Sequence, residues 1–585
     1  KELLMGNVIV SNITRTPVSN GSNWGSVAGA APSNVYPLSI SLTTAGRAGF
    51  YMDYSELSAA GTHKFYICRT HGTTGAVGAT YTTSGDDHTV VTGSVAWADG
   101  DASIHVVEVP VTAGNLSTHD AAGLGEHRIS MDLSSATGGA RLLNNARTRA
   151  YGVIDNNTMI ASDANAVFYD TAAAGGGNGT LAAPYNVYET ARAALGTKRY
   201  LYGKGTTIID TTTYQTNTGG NGGAWGLRVP AGRSSEATRL YIRNWPAESW
   251  TIEGNGVSTN QCGFYAEGGE SYQTYKGIVI QNIDNEKDGI SGSQGSGIYY
   301  RYEGSTDINV ESCEGYNING GSNNGFFMPW GVNGAKCWNC TVDGISKYGD
   351  TTNGNNGAVN TYAASNLSVQ RLQVSNCAAA VKFKSPNTAG EAGMSVRFCH
   401  FKRTDIITYG IYMGGSTNGA NGFTDNIIQS NIFDTIHGVY ASTDPSVADA
   451  SIGHHFSNNV FYNSGYGEVG ALEYKYFGDV ISYNNIYHSC RITLMERKPL
   501  AGRDFRYLDY DQDYGSTLAF MYINEVAKTL AQVQAETIFA DNTATVDPNF
   551  VDLISYVPQA AESLTGGVDG SQRGLYLTGT EVLRA

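Results

Sequence analysis

The chain has 585 residues, a formal net charge of −15 and only 15% charged residues. This acidic balance argues against a general nucleic-acid binder, which needs a basic surface to displace counterions. No window approaches the roughly 18 unbroken apolar residues of a membrane helix, so neither nucleic acid nor a membrane is an expected partner. The 73 Gly and 37 Tyr favour an all-β protein with many turns.

Residues 1–160 predict a β-sandwich. The segment from Thr74 to Trp97 alternates apolar and polar residues between Gly-containing turns, which is typical of half-buried antiparallel strands. Three stretches, "WADGD" from Trp97 to Asp101, "LSSATGGA" from Leu133 to Ala140 and "VIDNN" at residues 153–157, resemble a Calx-β domain. The resemblance extends over residues 35–157.

Some Calx-β domains bind calcium, so the resemblance makes Ca²⁺ the one candidate cofactor. Glu126, Asp86 and Asp87 are the candidate ligands at loop positions. Calcium-binding members end the motif in a run of acids, whereas residues 155–157 read Asp-Asn-Asn, which leaves fewer oxygens than calcium prefers. A structural or carbohydrate-facing spacer is the alternative interpretation, and no other metal site is predicted.

Residues 161–515 predict a parallel β-helix. A short strand pattern recurs 26 to 32 residues apart, aligned on Asn282, Cys313, Cys340, Leu372, Cys399, Asn431, Asn459 and Asn485. A repeat of this length, built from short strands and Gly/Asn turns, is typical of a β-solenoid. Because equivalent residues stack about 4.8 Å apart in such a fold, the column predicts an interior ladder in which Asn side chains bond to neighbouring coils.

Two segments bracket the repeat. "FYDTAAAGGGNGTLAAPYNVYETARAALG", from Phe168 to Gly196, carries a Gly/Asn loop and a short helix expected to cap the first coil. "TLAQVQAETIFADNTATVDPNFVDL" runs from Thr529 to Leu553, within residues 516–585, which are expected to form the last coil and a C-terminal cap. Both segments resemble the ends of secreted right-handed β-helix proteins that degrade polysaccharides, the alginate- and pectate-lyase-like superfamily. The resemblance implies an all-β fold, a right-handed parallel β-helix preceded by a β-sandwich.

The eight cysteines do not have the spacing of a disulfide scaffold. Free, packed thiols are expected, with a Cys313–Cys340 disulfide as the alternative. In a continuous strand the "CWNC" pair, Cys337 and Cys340, would point to opposite faces. No second such pair follows, so a zinc or redox site is not favoured.

The strand that opens each repeat, such as "AAVKFKSPN" from Ala379, predicts an outer surface of the solenoid. Alternation from its Gly or Ala predicts an inward column of Ile298, Phe326, Val359, Val381, Ile411, Val439 and Leu472. The adjacent outward column is Tyr299, Phe327, Asn360, Lys382, Tyr412, Tyr440 and Glu473. A second outward column, two residues further on, is Arg301, Pro329, Tyr362, Lys384, Gly414, Ser442 and Lys475.

This surface combines aromatic rings with cations. Aromatic rings stack on sugars, and Lys or Arg pairs with carboxylate groups, so an anionic polysaccharide is the expected partner. The predicted substrate-binding residues are Arg301, Tyr299, Trp330, Asn360, Tyr362, Lys384 and Lys475. The alternative is that outward Tyr and Lys merely solvate the sheet.

The strand from Ala379 also resembles a strand of alginate-lyase-type β-helices, in which a Lys followed by Ser acts as the base. The resemblance implies Lys382 as the base, although those families carry an Arg one coil onward, where this chain has Tyr412. Elimination at a uronate also needs its carboxylate neutralised and its leaving oxygen protonated. Lys384 or Arg301 would neutralise the carboxylate, and Tyr412 or Tyr440 would donate the proton.

Two other functions remain open. A glycoside hydrolase acting on a bacterial exopolysaccharide or capsule would need two carboxyl groups; Glu473 is the best outward acid, with Glu303, Asp350 and Asp444 on flanking loops. A non-catalytic glycan-binding adhesin is the third, although the Tyr- and Asp-rich segment from Arg503 to Ser516 predicts a wall over a groove. An extracellular protein or a phage-virion component is expected, and a homotrimer if the chain is a phage spike.

Overall fold

A computed structural model describes part of the chain. The described residues are 3–5, 8–10, 16–17, 23–26, 45–57, 60–85, 88–101, 103–122, 125–143, 148–154, 160–209, 225–254, 261–266, 269–283, 295–301, 304–319, 324–346, 356–384, 393–403, 409–414, 426–442, 454–465, 470–475, 480–497, 505–509, 511–523, 526–536, 543–550, 560, 563 and 582–584.

Two antiparallel-rich sheets near the N-terminus form a sandwich around a core that includes Phe50, Trp97 and Ile129. The four-stranded sheet contains Arg47–Phe50, Gly61–Thr70, His105–Val111 and Arg141–Leu142. The five-stranded sheet contains Tyr54–Leu57, Val77–Ser84, Thr92–Trp97, His127–Thr137 and Arg149–Ile154. Shorter strands pair separately: Leu3–Met5 with Val8–Val10, and Asn23–Ser26 with both Thr16–Pro17 and Val582–Arg584.

A parallel β-solenoid follows, with three sheets that share one apolar core. Sheet A comprises Ala166–Asp170, Tyr200–Ile209, Leu240–Asn244, Gln273–Lys276, Ile308–Glu311, Lys336–Trp338, Leu367–Gln370, Met394–Arg397, Ile427–Gln429, His454–Ser457, Val480–Tyr483 and Phe505–Asp509. Sheet B continues from Tyr200–Ile209 through Trp250–Gly254, Ile278–Gln281, Glu314–Asn319, Thr341–Ser346, Gln373–Cys377, His400–Lys402, Ile432–Asp434, Val460–Tyr462, Ile486–His488 and Gln512–Tyr514. Sheet C comprises Trp225–Arg228, Gln261–Ala266, Ser296–Tyr300, Gly325–Pro329, Val359–Tyr362, Ala379–Lys384, Tyr409–Gly414, His437–Ser442, Leu472–Lys475, Ile492–Arg497, Ala519–Ile523 and, antiparallel at its end, Val526–Lys528.

Within the described ranges the helices are few and short: Ala113–Ala121, Tyr188–Ala193, Leu530–Glu536 and a 3₁₀ turn at Glu236–Thr238. Tyr188 and Val533 belong to the solenoid core, so the helix Tyr188–Ala193 packs near the first coils and the helix Leu530–Glu536 near the last. Among the described residues, no helix is long and apolar enough to cross a membrane. The segment predicted as a groove wall is instead part of an ordinary coil, because Phe505–Asp509 pairs with Val480–Tyr483 and Gln512–Tyr514 with Ile486–His488.

The turn from sheet A to sheet B uses one left-handed residue in successive coils. Its φ lies between 50° and 60° at Ser312, Asn339, Arg371, Phe398, Ser430, Asn458 and Asn484. Ser and Asn suit this conformation better than Arg or Phe do, because short polar side chains tolerate it. The residue after each turn points inward, which gives the interior column Cys313, Cys340, Leu372, Cys399, Asn431, Asn459 and Asn485.

The predicted Asn ladder is confirmed by hydrogen bonds between coils. The side-chain oxygen of Asn431 accepts from the Cys399 N–H at 3.0 Å, and the backbone and side-chain N–H groups of Asn431 donate to Asn459 Oδ1 at 3.0 and 3.1 Å. Asn459 donates in the same way to Asn485, at 3.0 Å in both bonds. Asp511, which only accepts when ionised, receives the donors of Asn485 at 2.8 and 3.1 Å.

The prediction misaligns one residue of the column. It aligns Asn282 with Cys313, but the side chain of Asn282 accepts a hydrogen bond from Asn317 Nδ2 at 3.2 Å, at the next corner of the coil. The register pairs Val279 with Glu314, so Ile278 is the neighbour of Cys313. Two different corners of the coil carry Asn here, and a linear alignment does not separate them.

All eight cysteines are buried, and none forms a disulfide. Cys313 and Cys340 donate to backbone carbonyls rather than forming a disulfide, so the packed-thiol interpretation is confirmed. Cys337 and Cys340 both lie in the core, and the prediction that they point to opposite faces is wrong. The left-handed Asn339 between them turns the chain at a corner, so simple strand alternation does not apply.

The sandwich lies against the outer face of sheet A. Gln370 Oε1 accepts from the backbone N–H groups of Asp53 and Tyr54 at 2.9 and 3.3 Å, and its amide donates back to the Tyr54 carbonyl at 2.7 Å. Trp338 stacks on Tyr54 with ring centroids 5.1 Å apart. These contacts join the two parts of the chain through fully buried polar and aromatic groups.

A buried charge cluster extends this interface, and it includes Glu126. Its carboxylate lies 2.8 Å from Arg128 and 3.2 Å from both Arg243 and Lys276, while Arg128 also pairs with Glu311 at 2.6 Å. Burial alone would raise the pKa of Glu126, but the three cations hold that pKa well below its usual range. The carboxylate oxygens of Glu126 are therefore already paired with cations at the domain interface, which argues against its predicted role as a calcium ligand. Asp86, Asp87 and residues 155–157 lie outside the described residues.

We predict that Asn459→Ala destabilises the solenoid by on the order of 3 kcal/mol, because it leaves two buried Asn431 donors without their acceptor. Urea unfolding followed by circular dichroism measures the loss. The control is Asn463→Gly, which keeps a left-handed corner and removes an exposed amide. Equal stability of the two variants would contradict a role for the ladder.

We predict that Glu126→Gln costs about 3–5 kcal/mol at neutral pH, because it leaves buried cations uncompensated. The folded-state pKa of Glu126 is depressed, so its stabilisation is present above the ordinary carboxyl pKa and is lost as pH falls below about 4. The free energy of unfolding is measured across this pH range, with Glu248→Gln, at an exposed glutamate, as the control. The difference in this free energy between wild type and Glu126→Gln should become smaller as the pH falls. A gap independent of pH would contradict this assignment.

Candidate functional site

The outer surface of sheet C carries aligned side chains from successive coils. Its middle column is Tyr265, Tyr299, Met328, Asn360, Lys382, Tyr412, Tyr440 and Glu473. A second column, towards the ends of the strands, is Arg301, Trp330, Tyr362, Lys384 and Gly414, and the backbone register continues it to Ser442 and Lys475. The predicted site residues whose side chains are described therefore share one surface, with adjacent members about 4.8 Å apart.

The predicted register needs one correction. Phe327 pairs with Ile298 and lies in the core beside Phe326, so the prediction that Phe327 points outward is wrong. Two consecutive residues of this strand face inward, and the outward position passes to Met328. The same offset sets Pro329 opposite Tyr300, and Trp330 takes the outward position through its bridge to Tyr362.

Lys382 lies at the centre of the surface and is 1% exposed. Its register neighbours are Asn360 and Tyr412, and its Nζ lies 5.6 Å from the centre of the Tyr412 ring. Burial, and secondarily the charge of Lys384, lowers the pKa of Lys382 to about 7. An amine with this pKa is largely neutral just above neutral pH and can accept a proton.

Tyrosines border Lys382 on the C-terminal side. Tyr412 and Tyr440 stack with ring centroids 5.3 Å apart and an interplanar angle of 20°. Burial, and then the neighbouring Tyr440, raises the pKa of Tyr412, so its hydroxyl keeps its proton at neutral pH. A Cβ at Gly414 would lie 2.3 Å from the Tyr412 ring, so this glycine makes room for the ring over the strand.

Sequence reasoning missed two residues of this cluster. The Tyr409 ring lies 5.4 Å from Tyr412, 5.1 Å from Tyr440 and 5.5 Å from His437. Burial lowers the pKa of His437 to about 4, so it is neutral at pH 7. Both residues precede a glycine of the repeated strand, Gly410 or Gly438, where a Cβ would collide with an interior Phe ring. Each of these glycines faces inward, and so does the residue after it, so two consecutive residues point into the core. The recurring Gly before an apolar residue is the sequence feature that could have revealed this.

Aromatic residues dominate the N-terminal end of the surface. Trp330 contacts Tyr362 edge-to-face at 4.8 Å, and the Nζ of Lys384 lies 5.4 Å from the Tyr362 ring centre. Tyr299 is 1% exposed and packs with Tyr265 and Met328. Arg301 lies on the same surface, where its guanidinium contacts the Tyr265 hydroxyl at 3.3 Å. Arg301 is three coils, or about 14 Å, from Lys384, so the two cations would meet different sugar residues.

Among the described outward residues of sheet C, Glu473 supplies a carboxyl group; it is buried and pairs in register with Tyr440. It lies three coils, about 14 Å, from Lys382 along the column. The side chain of Lys475 and all of Glu303, Asp350 and Asp444 lie outside the described residues. Within the described part of the chain, no group of three or more His, Cys, Asp or Glu side chains could hold a metal ion.

The arrangement offers specific chemistry. Lys382, with its pKa of about 7, can remove a proton, the hydroxyl of Tyr412 can donate one, and the Lys384 ammonium can stabilise a developing negative charge. All three kinds of group stand on strands of one sheet, whose register fixes their spacing.

Comparisons with known proteins give distant likenesses. No protein-family model matches the chain, and no curated protein matches its sequence. A structure of the apo form of the Calx CBD1 domain is 15% identical and covers 18% of this chain and 94% of its own, with a TM-score of 0.16; the Calx CBD2 domain gives 13%, 19%, 86% and 0.16. A rhamnogalacturonan lyase is 10% identical and covers 66% of this chain and 91% of its own, with a TM-score of 0.36. Likenesses this distant do not determine an activity.

We predict that Lys384→Met raises the pKa of Lys382, because it removes a like charge that disfavours the protonated amine. Side-chain amine NMR, or the pH dependence of Lys382 acylation followed by mass spectrometry, measures that pKa without any substrate. Lys402→Met, at a half-exposed lysine on sheet B, is the control and should leave the value near 7. An unchanged pKa in Lys384→Met would show that burial alone sets the value.

Proposed function

We propose that this protein is a depolymerase that cleaves an anionic polysaccharide by β-elimination at a uronate residue, on the outer surface of sheet C. The observation that carries the proposal is the buried Lys382 beside the stacked pair Tyr412 and Tyr440, with Lys384 on the same strand. Such substrates occur outside cells, so an extracellular or virion location belongs to the proposal, as does trimerisation if the chain is a phage spike.

In the proposed reaction, Lys384 binds the substrate carboxylate and stabilises the charge that develops when the C5 proton leaves. The neutral Nζ of Lys382 takes this proton. The C4–O4 bond breaks, a C4–C5 double bond forms, and the hydroxyl of Tyr412 or Tyr440 protonates the leaving oxygen. Exchange with water then returns Lys382 and the tyrosine to their starting states.

Binding contacts follow from the same surface. Trp330 and Tyr362 present aromatic rings to neighbouring sugars, and Arg301 pairs with an acidic group further along the chain. Asn360, adjacent to Lys382, adds a polar contact, although its amide already donates to the Asn324 carbonyl at 3.0 Å. Lys382 is nearly inaccessible in the unbound protein, so substrate binding requires displacement of the groups that cover it.

Hydrolysis of a bacterial exopolysaccharide or capsule is the second candidate, favoured by the carboxyl group of Glu473 on this surface. It requires a second carboxyl about 5 Å away for retention or about 6.5–9.5 Å away for inversion. The described outward positions of sheet C from Gln261 to Leu472 do not supply that partner. A non-catalytic glycan-binding adhesin would use the aromatic and cationic residues alone.

Digestion of a panel of acidic polysaccharides tests the proposal. Ultraviolet absorbance of an unsaturated uronate and the number of new reducing ends should rise together, and Lys382→Met should lower kcat by about 10²–10⁴-fold. Lys402→Met is the matched control and should keep wild-type rates. Because the base must be neutral, kcat/KM should rise with pH up to the Lys382 pKa of about 7 and then level off.

Other outcomes separate the alternatives. New reducing ends without absorbance would contradict elimination and direct attention to Glu473. Binding of the polysaccharide without any fall in its viscosity would support the non-catalytic glycan-binding adhesin. Full activity of Lys382→Met would overturn the role of the lysine in either reaction.

A further inference from the structure

A concave site separate from the surface of sheet C lies between the sandwich and the solenoid. It is a cavity of about 210 Å³, smaller than a typical drug-sized pocket. Asp132 and Arg149 line it from the sandwich, and Tyr272, Asp307 and Lys336 line it from the corner that leads into sheet A. The proposed reaction on sheet C uses none of these residues.

The charged groups of the cavity are balanced. Arg149 Nε lies 2.6 Å from Asp132 Oδ1, and Lys336 contacts Asp307. Asp307 is also held by Arg239 at 2.9 Å. Two acids and two bases therefore line the cavity, and each has an opposite charge beside it. A free anion or a free cation gains no net attraction from such a lining.

The cavity nevertheless offers many hydrogen bonds. Carboxylate oxygens accept, and guanidinium and ammonium groups donate, so a hydroxyl that does both is complementary to an adjacent acid–base pair. Side-chain exposure is 37% for Asp132 and 27% for Arg149, so this pair is within reach of a ligand. Their mutual ion pair also holds them in place before a ligand arrives, which lowers the entropic cost of binding.

Tyr272 adds an aromatic surface. It is half-buried, has a left-handed φ of 52° and borders the cavity. Arg239 lies over its ring at 5.8 Å and fixes its position. An aromatic ring next to paired donors and acceptors matches a sugar, which has an apolar C–H face and hydroxyls at its edge.

We propose that this cavity binds one neutral sugar residue, with its hydroxyls on the Asp132–Arg149 pair and its ring against Tyr272. The volume suits one ring rather than an oligosaccharide. The cavity also borders Asn333, three residues after Trp330 in the candidate surface, a separation of at most roughly 10 Å of extended chain. This site goes beyond the proposed depolymerase function and would hold a sugar even if sheet C were not catalytic.

Saturation-transfer NMR with methyl glycosides of glucose, galactose, mannose and rhamnose tests the proposal on the full-length protein. Glucuronate, inorganic phosphate and calcium chloride are the charged comparators, each added as a competitor of the bound glycoside, because phosphate and calcium have no ligand protons to observe. At least one neutral glycoside should bind, and Asp132→Asn and Tyr272→Asn should each weaken it about tenfold or more. Asn is chosen at position 272 because it tolerates a left-handed backbone.

Matched controls separate loss of the site from loss of the fold. Glu108→Gln removes an exposed acid of the sandwich and Tyr462→Asn a half-buried tyrosine on sheet B, and neither should change binding. The melting temperature of each variant shows whether it is folded. If Tyr272→Asn does not fold, Asp132→Asn alone tests the site.

Four results would overturn the proposal. The first is that no neutral glycoside binds, and the second is that binding survives both cavity substitutions. The third is that phosphate, glucuronate or calcium binds at the cavity more tightly than every neutral glycoside. Loss of binding in Lys384→Met but not in Asp132→Asn would assign the sugar to sheet C instead, and so reject this site.

Discussion

In-register stacking of parallel strands is the constraint on which this structure depends. Each coil must place the same kind of group at the same position, because its neighbour lies only about 4.8 Å away. A polar side chain inside the solenoid is therefore tolerated only if the next coil satisfies it. The run from Asn431 to Asp511 does so, since each amide donates to the following acceptor and the final Asp accepts without needing to donate. The left-handed corners keep these residues aligned.

The sandwich makes the three faces of the solenoid unequal. It buries the outer side of sheet A through the contacts of Gln370, Trp338 and Glu126. Among the described residues, these interface contacts do not involve the tyrosines and lysines of sheet C. A solenoid has several equivalent faces in principle, and here the docking of a second unit distinguishes them.

The charges that neighbour a buried ionisable group act differently at the domain interface and on sheet C. At the interface, Glu126 has three cationic neighbours, so its charged form is stabilised and its pKa falls. On sheet C, Lys382 is buried beside the like-charged Lys384, so both influences favour the neutral amine. The first arrangement stabilises the fold, whereas the second prepares a group to exchange protons. The same desolvation acts in both, and the sign of the neighbouring charge decides the outcome.

The sequence by itself determined the solenoid, the sandwich, the interior ladder and most members of the outward columns, because a repeat of 26 to 32 residues forces equivalent positions to stack. It also placed Lys382 in the outward column between Asn360 and Tyr412. The sequence could not determine where the alternation of inward and outward residues breaks. The prediction therefore points Phe327 outward although it lies in the core, and it assigns Asn282 to the wrong corner of the coil. It also omits Tyr409 and His437 from the site. Only the tertiary structure decided these points, since a left-handed corner or a doubled inward step depends on the coil packed beside it. The same holds for Glu126, whose three cationic partners include two from the solenoid, more than a hundred residues away along the chain.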